Sequence, residues 1–181
     1  MSTQYKVICG TGHRPDKLGG YDNQAAHDCL VHLLIDALRE IEPELVIVGM
    51  AQGFDQALAE AAYELDIPFI AALPYKGQEL RWPQKAQRHY NYLLSLAKAI
   101  TIVNEGDYKP WFMQTRNKFM VDNSQAVLTI WDGTSGGTCN TIEYASGMHK
   151  NNDFVYTKQN EKPIINIYDK WKTKYNSKTG H

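Results

Sequence analysis

LVIVGMAQGFDQALAEAAYEL, residues 45–65, decides the fold. Four β-prone apolar residues run into a glycine turn, and Phe54, Leu58, Ala61, Ala62 and Leu65 then recur along one face of a helix. Asp66-Ile67-Pro68 closes that helix, and Phe69-Ile70-Ala71-Ala72-Leu73 reads as the next strand. Upstream, Tyr5-Lys6-Val7-Ile8-Cys9 is another strand, halted by Gly10-Thr11-Gly12. Ala26, Leu30, Leu33, Leu34, Ala37, Leu38 and Ile41 recur at helical spacing after it, with Asp22 or Asn23 to cap one end and Pro43 beyond the other. Downstream the alternation continues: helix over 83–97, strand 99–103, helix 110–121, strand 126–131, helix 138–148 and strand 163–167. Nearly continuous apolar strands that alternate with helices predict an α/β fold, a doubly wound and mainly parallel sheet in a single domain over residues 1–168. Residues 169–181 carry Lys170, Lys172, Lys174 and Lys178 with few core-forming side chains, and are expected to be a solvated basic tail.

Composition narrows the function. The chain has 181 residues, 43% hydrophobic and 22% charged, which excludes disordered, collagenous and membrane-embedded classes. Nineteen basic against twenty acidic side chains leave a net charge of −1, so no global field draws the protein onto nucleic acid or anionic lipid. A small, locally recognised ligand is expected, with nucleic acid disfavoured and no membrane partner. Cys9, Cys29 and Cys139 form no CxxC and have no histidine pair nearby in sequence, so neither a disulfide framework nor a metal site is expected. Glycines interrupt the first apolar run too early for a signal peptide, and the cytoplasm is the expected location.

In an open parallel sheet, ligands bind beyond the carboxyl ends of the strands, so the strand-ending loops are read together. They are Gly10-Thr11-Gly12-His13-Arg14-Pro15, Gly49-Met50-Ala51-Gln52-Gly53-Phe54-Asp55, Pro74-Tyr75-Lys76-Gly77 and Asp132-Gly133-Thr134-Ser135-Gly136-Gly137-Thr138. Glycine lets backbone N–H groups approach a ligand, and a helix amino terminus adds unpaired donors and a dipole suited to an anion. Phosphate is the natural guest, and the last loop is the strongest case because hydroxyls accompany its glycines. Standard signatures are absent: Gly10-Thr11-Gly12 lacks a third glycine at the required offset, and the chain has no GK[ST] and no GxSxG. No cofactor is expected.

Arg116 stands four residues after Phe112 and four before Met120, so a guanidinium shares a helix face with large apolar groups and needs a partner. Either Asp132 or Glu143 pairs with it, or it binds phosphate bidentately in the crevice. Asp55, at the start of a helix, is a cap or a ribose contact. Asp132 is placed to read a ribose or base, while Glu143 lies about one and a half turns along the last helix.

GTGHRP (10–15), VGMAQGFDQALAEAA (48–62), LPYKGQELRWP (73–83) and NKFMVDNSQAVLTIWDGTSGGTCNTIEYA (117–145) together resemble the SLOG superfamily of Rossmann-like proteins, most closely its YpsA-like branch. That resemblance implies a crevice for a nucleotide or nucleotide-derived small molecule, for sensing or sequestration, and a homodimer. Its LOG members are nucleoside 5′-monophosphate N-glycosidases that couple an M-x-x-R helix to a GGxGTxxE loop. Here Met113-Gln114-Thr115-Arg116 matches the first half and Gly137-Thr138 the GT, while Thr141 occupies the glutamate position. A glycosidase would therefore draw its carboxylate from Asp55, Asp132 or Glu143. The DprA members bind single-stranded DNA, for which Trp82, Tyr90 and Tyr92 would be the stacking candidates.

Overall fold

The structure, a computed structural model, describes residues 5–147, 149–150, 156–157 and 161–179. Strand β1 (Val7–Gly12) leads through a short 3-10 turn at Pro15–Lys17 into helix α1 (Gln24–Ile41). There follow β2 (Leu45–Val48), α2 (Phe54–Glu64), β3 (Phe69–Leu73), α3 (Gln84–Leu96), β4 (Ala99–Ile102), α4 (Phe112–Asp122), β5 (Ala126–Ile130) and α5 (Gly137–Ala145). The short strands β6 (His149–Lys150) and β7 (Tyr156–Thr157) pair antiparallel, and β8 (Ile164–Asn166) and α6 (Tyr168–Thr179) close the described chain. Of the 138–148 helix expected from sequence, Met148 lies outside the described residues.

Six strands form one all-parallel sheet in the order β4-β3-β2-β1-β5-β8. The doubly wound fold expected from the alternating pattern is the fold observed. Period-2 burial sets its layers: Ile8, Val46, Val48, Ala71 and Leu128 face a core shared with α1, α2, α3 and α6, while Cys9, Ile47, Ala72 and Val127 face α4 and α5. Asn23 caps α1 as expected, its Oδ1 accepting from Ala26 N at 3.1 Å. Among the described residues, no helix is long and apolar enough to cross a membrane.

The solvated tail is a correction. Over 168–179 the chain is helical, with Trp171 only 4% exposed in the core and Tyr175 stacked on it at 5.0 Å. The lysines flank this contact rather than preventing it, since Lys170 and Lys174 reach Glu40 and Asp36 on α1 at 3.7 Å each. A few apolar side chains at helical spacing suffice to dock a helix when its charged stems lie along the edge of the contact.

Candidate functional site

Sheet order places the site. From β1 the chain steps outward through β2, β3 and β4, then returns so that β5 lies on the other side of β1. The two strands pair from Ile8↔Ala126 through Gly12↔Ile130, so their closing loops leave the sheet side by side at the switch point where ligands bind in such folds. A cavity of about 320 Å³ opens there, walled by both loops and one face of α4.

The two loops are tied together by Asp132. Its Oδ1 lies 2.9 Å from His13 Nε2 and accepts from Thr134 N at 3.0 Å and from the Thr134 hydroxyl, while Oδ2 accepts from Lys17 Nζ at 3.4 Å. Lys17 also donates to Thr134 Oγ1, and Trp131 Nε1 donates to the Thr134 carbonyl at 2.8 Å. Hydrogen bonds from Thr134, with His13 and Lys17 adding to them, hold the Asp132 carboxyl far below the usual carboxylate range. Burial pushes the His13 imidazole below its ordinary value despite the opposing pull of Asp132. Asp132 thus shapes the rim and is not among the residues that line the cavity.

Helix α5 begins at the cavity. Gly136 is its cap residue with φ 142°, it supplies no side-chain cap, and the first turn contains no acid. The N–H groups of Gly137 and Thr138 belong to the turn that no helix satisfies internally, so this end presents donors and a positive dipole to the cavity. Thr134 and Ser135 add hydroxyls to the same wall, and Arg14 and Lys17 add cations to the lining, Lys17 beside Thr134.

The floor is charged as well. Arg116 is 4% exposed, with Nε donating to Asn117 Oδ1 at 2.8 Å and Nη1 donating to the Gly49 carbonyl and, at 3.3 Å, to the Ala72 carbonyl. Neither Asp132 nor Glu143 pairs with it, contrary to one sequence expectation. The carboxylate whose field it feels is Asp55, buried beside it and accepting from Ala51 N at 3.1 Å. Burial raises the Asp55 carboxyl above its ordinary value, with Arg116 opposing the shift. Gly49 makes this pairing of charges possible, because a Cβ there would lie 2.6 Å from Arg116 Nη1 and 2.9 Å from Asp55 Oδ2.

Of the residues nominated from sequence, Thr11, Gly12, His13, Arg14, Asp55 and Arg116 meet at the cavity, as do Thr134, Ser135, Gly136, Gly137 and Thr138. Others do not line it. Gly10 packs against Leu58 and Phe54, Gly49 serves Arg116, and Gly133 turns the loop with φ 89°. Gln52 and Gly53 face a second cavity of about 230 Å³ on the other side of their loop. Glu143 stands outside the wall, its Oε1 3.7 Å from Cys139 Sγ. The 74–77 loop follows β3, two strands away from β1, and packs Tyr75 on Tyr108 and Phe112 instead of joining the crevice. Met113, Asn117 and Met120 also line the cavity, Met113 and Met120 at helical spacing from Arg116 and Asn117 at helical spacing from both methionines, and none was nominated; nor was Lys17, three residues past Arg14. Of the aromatic trio, Tyr90 is 1% exposed and Trp82 meets it edge-on at 5.3 Å, which leaves Tyr92 as the exposed one.

Comparisons with known proteins bear on the family and the fold. The sequence profile of the YspA SLOG family (YpsA) matches residues 8–170. The SPbeta prophage-derived protein YoqJ of Bacillus subtilis (strain 168) is 33% identical over 115 residues, which are 55% of this chain and 67% of YoqJ. DNA processing protein A of Helicobacter pylori, described for its single-stranded DNA binding mode, superposes with a TM-score of 0.54 at 16% identity, covering 94% of this chain and 80% of that one. The Streptococcus pneumoniae DNA processing protein A gives a TM-score of 0.52 at 17% identity over 77% of this chain, which spans only half of that longer protein. At such identities the structural likeness concerns the fold.

Proposed function

The chain belongs to the YspA SLOG family, and from that premise we propose that it binds a nucleotide or nucleotide-derived small molecule in the cavity between the β1 and β5 loops. One observation carries the reading: the uncapped amino terminus of α5, two hydroxyls and the cations Arg14 and Lys17 surround the same 320 Å³ space. The phosphate sits at Gly136, Gly137 and Thr138, and the nucleoside extends toward Met113, Arg116 and Met120. Sensing or sequestration follows from a site that holds its ligand through fixed donors. Tyr90 is buried and Trp82 is packed edge-on against it, which favours a small ligand over a stacked strand of DNA.

A second reading, hydrolysis of the N-glycosidic bond of a nucleoside 5′-monophosphate, is favoured by Asp55. This buried carboxyl lines the cavity beside Arg116 with its pKa raised, the condition a general acid requires, and so supplies the group that Thr141 cannot. Thermal unfolding with adenosine 5′-monophosphate, guanosine 5′-monophosphate and ADP-ribose, followed by chromatography of the mixtures, separates the two. A raised melting temperature with intact nucleotide supports the binder, and free base supports the hydrolase. Gly137→Asp, which sets a carboxylate where the phosphate belongs, is expected to remove the stabilisation by any nucleotide. The absence of both stabilisation and turnover across all three compounds sinks the reading.

A further inference from the structure

Away from this crevice, three consecutive helices bring metal-ligand chemistry to one point. His27 stands in the first turns of α1, Glu60 in the middle of α2 and His89 in the middle of α3. His27 Nε2 lies 2.9 Å from Glu60 Oε2, and His89 Nε2 lies 2.7 Å from Glu60 Oε1. One ligand atom from each of the three falls within 4.8 Å of the others. Both imidazoles also line the 230 Å³ second cavity, whose wall includes Asn23, Gln52 and Gln56. Sequence spacing conceals the trio, because each helix contributes one member and no short motif links them.

The geometry points to a binding site for a divalent transition metal ion of the zinc class, held by His27, Glu60 and His89 and open to the second cavity. Two imidazoles and a carboxylate are the borderline nitrogen and oxygen donors that Zn²⁺ and its neighbours prefer, whereas Mg²⁺ and Ca²⁺ select oxygen-only sets. Metal–ligand bonds of about 2.0–2.1 Å set tetrahedral donors roughly 3.3 Å apart, so the two hydrogen-bonded N···O pairs need open by only about half an ångström to admit the ion. Three protein ligands leave a fourth position, and the cavity beside the imidazoles has room for water or for a donor atom of a small molecule there. All three ligands are half-buried rather than sealed, with side-chain exposures of 23% for His27 and Glu60 and 41% for His89, so an ion reaches them without unfolding. Bound metal would pin α1, α2 and α3 together on one face of the sheet. The inference does not rest on the nucleotide reading, since the two cavities share no lining residue.

The test uses the untagged full chain, stripped with a chelator and titrated calorimetrically with ZnCl₂ near neutral pH. One ion per chain is expected, with a higher melting temperature and no competition from millimolar Mg²⁺. His27→Gln, Glu60→Gln and His89→Gln are each expected to weaken binding by at least the roughly 10–100-fold that loss of a mere outer-shell partner costs. The double variant H27Q/H89Q should bind no ion at this stoichiometry. X-ray absorption of the wild-type zinc complex reads the ligands without any variant, and two imidazoles with oxygen donors and no sulfur are expected. A wild-type chain that takes up no stoichiometric zinc holds a hydrogen-bonded triad only, and the proposal fails. It fails equally if the folded double variant keeps the ion, or if the absorption shell contains sulfur or a single imidazole.

Discussion

The two sides of the crevice look alike in sequence and are built for opposite reasons. On the β1 and β2 side, Gly10, Gly12 and Gly49 are filled against: an added Cβ would meet Leu58 at 2.2 Å, Phe54 at 2.3 Å and Arg116 at 2.6 Å respectively. On the β5 side, Cβ atoms at Gly133, Gly136 and Gly137 would meet nothing within 4 Å. One set of glycines exists so that α2 and a buried guanidinium can press on strand ends. The other shapes a loop that stays open. A glycine-rich strand-to-helix loop therefore has two physical meanings, and only packing distinguishes them.

The comparison breaks first on the packed side. Gly12→Ala drives a methyl group into the Phe54 ring, whose Cγ, Cβ and Cδ2 would all lie within 2.7 Å of it. Phe54 is fully buried at the head of α2 and cannot swing away. We expect a loss of about 3 kcal/mol, the upper end of ordinary overpacking, measured by chemical denaturation. A second change, Phe54→Ala, removes the Cγ and Cδ2 that the methyl group would strike, so the double variant should lose less stability than the sum of the two single changes. If Gly12→Ala is neutral, the packed side is not packed, and the contrast between the two loops disappears.

The sheet and its layers were legible because apolar strands buried on both faces leave an unbroken hydrophobic run, as Leu45-Val46-Ile47-Val48 does. The switch-point cavity was legible because loops after parallel strands must emerge at one end of the sheet. Which loops meet there was not, since that depends on strand order. The 74–77 loop shares the right end with the others and is displaced by the width of two strands. Helix α6 was overlooked because lysines dominate its composition, although Tyr168, Trp171 and Tyr175 recur at helical spacing and pack on the core. The partner of Arg116 was also hidden: the carbonyls of Gly49 and Ala72 belong to strand ends distant in sequence, and no residue type announces a backbone acceptor.

Charge sharpens the comparison next. Asp55 belongs to the packed side, and burial raises its pKa above the ordinary 3.8. A carboxyl with a raised folded pKa contributes stability that is fully present below its unfolded pKa and lost as pH rises through the folded value. Asp55→Asn keeps an acceptor for Ala51 N and removes the titration. The variant should therefore gain stability relative to wild type as pH rises from 3.8 through the folded pKa. Denaturant midpoints taken across that interval read the sign directly. A difference that stays flat would mean that Arg116 fully offsets the burial of the carboxylate.

The smallest effects lie on the open side, where two adjacent glycines should part company. Gly136 adopts φ 142°, a conformation that side chains rarely tolerate, so Gly136→Ala is expected to cost about 1 kcal/mol or more through backbone strain, although nothing obstructs the methyl group. Gly137, the first helical residue of α5, has open space around its Cβ position and no positive φ. Gly137→Ala should shift stability by no more than about 0.5 kcal/mol, since it touches nothing and alanine is the better helix former. A near-silent Gly137→Ala beside a costly Gly12→Ala, measured in the same denaturant series, would show that the space in front of α5 is not taken up by the protein's own packing, as the proposed phosphate site requires. If Gly137→Ala proved as destabilising as Gly12→Ala, the space in front of α5 would be occupied by the fold itself, and the phosphate would have no place to sit.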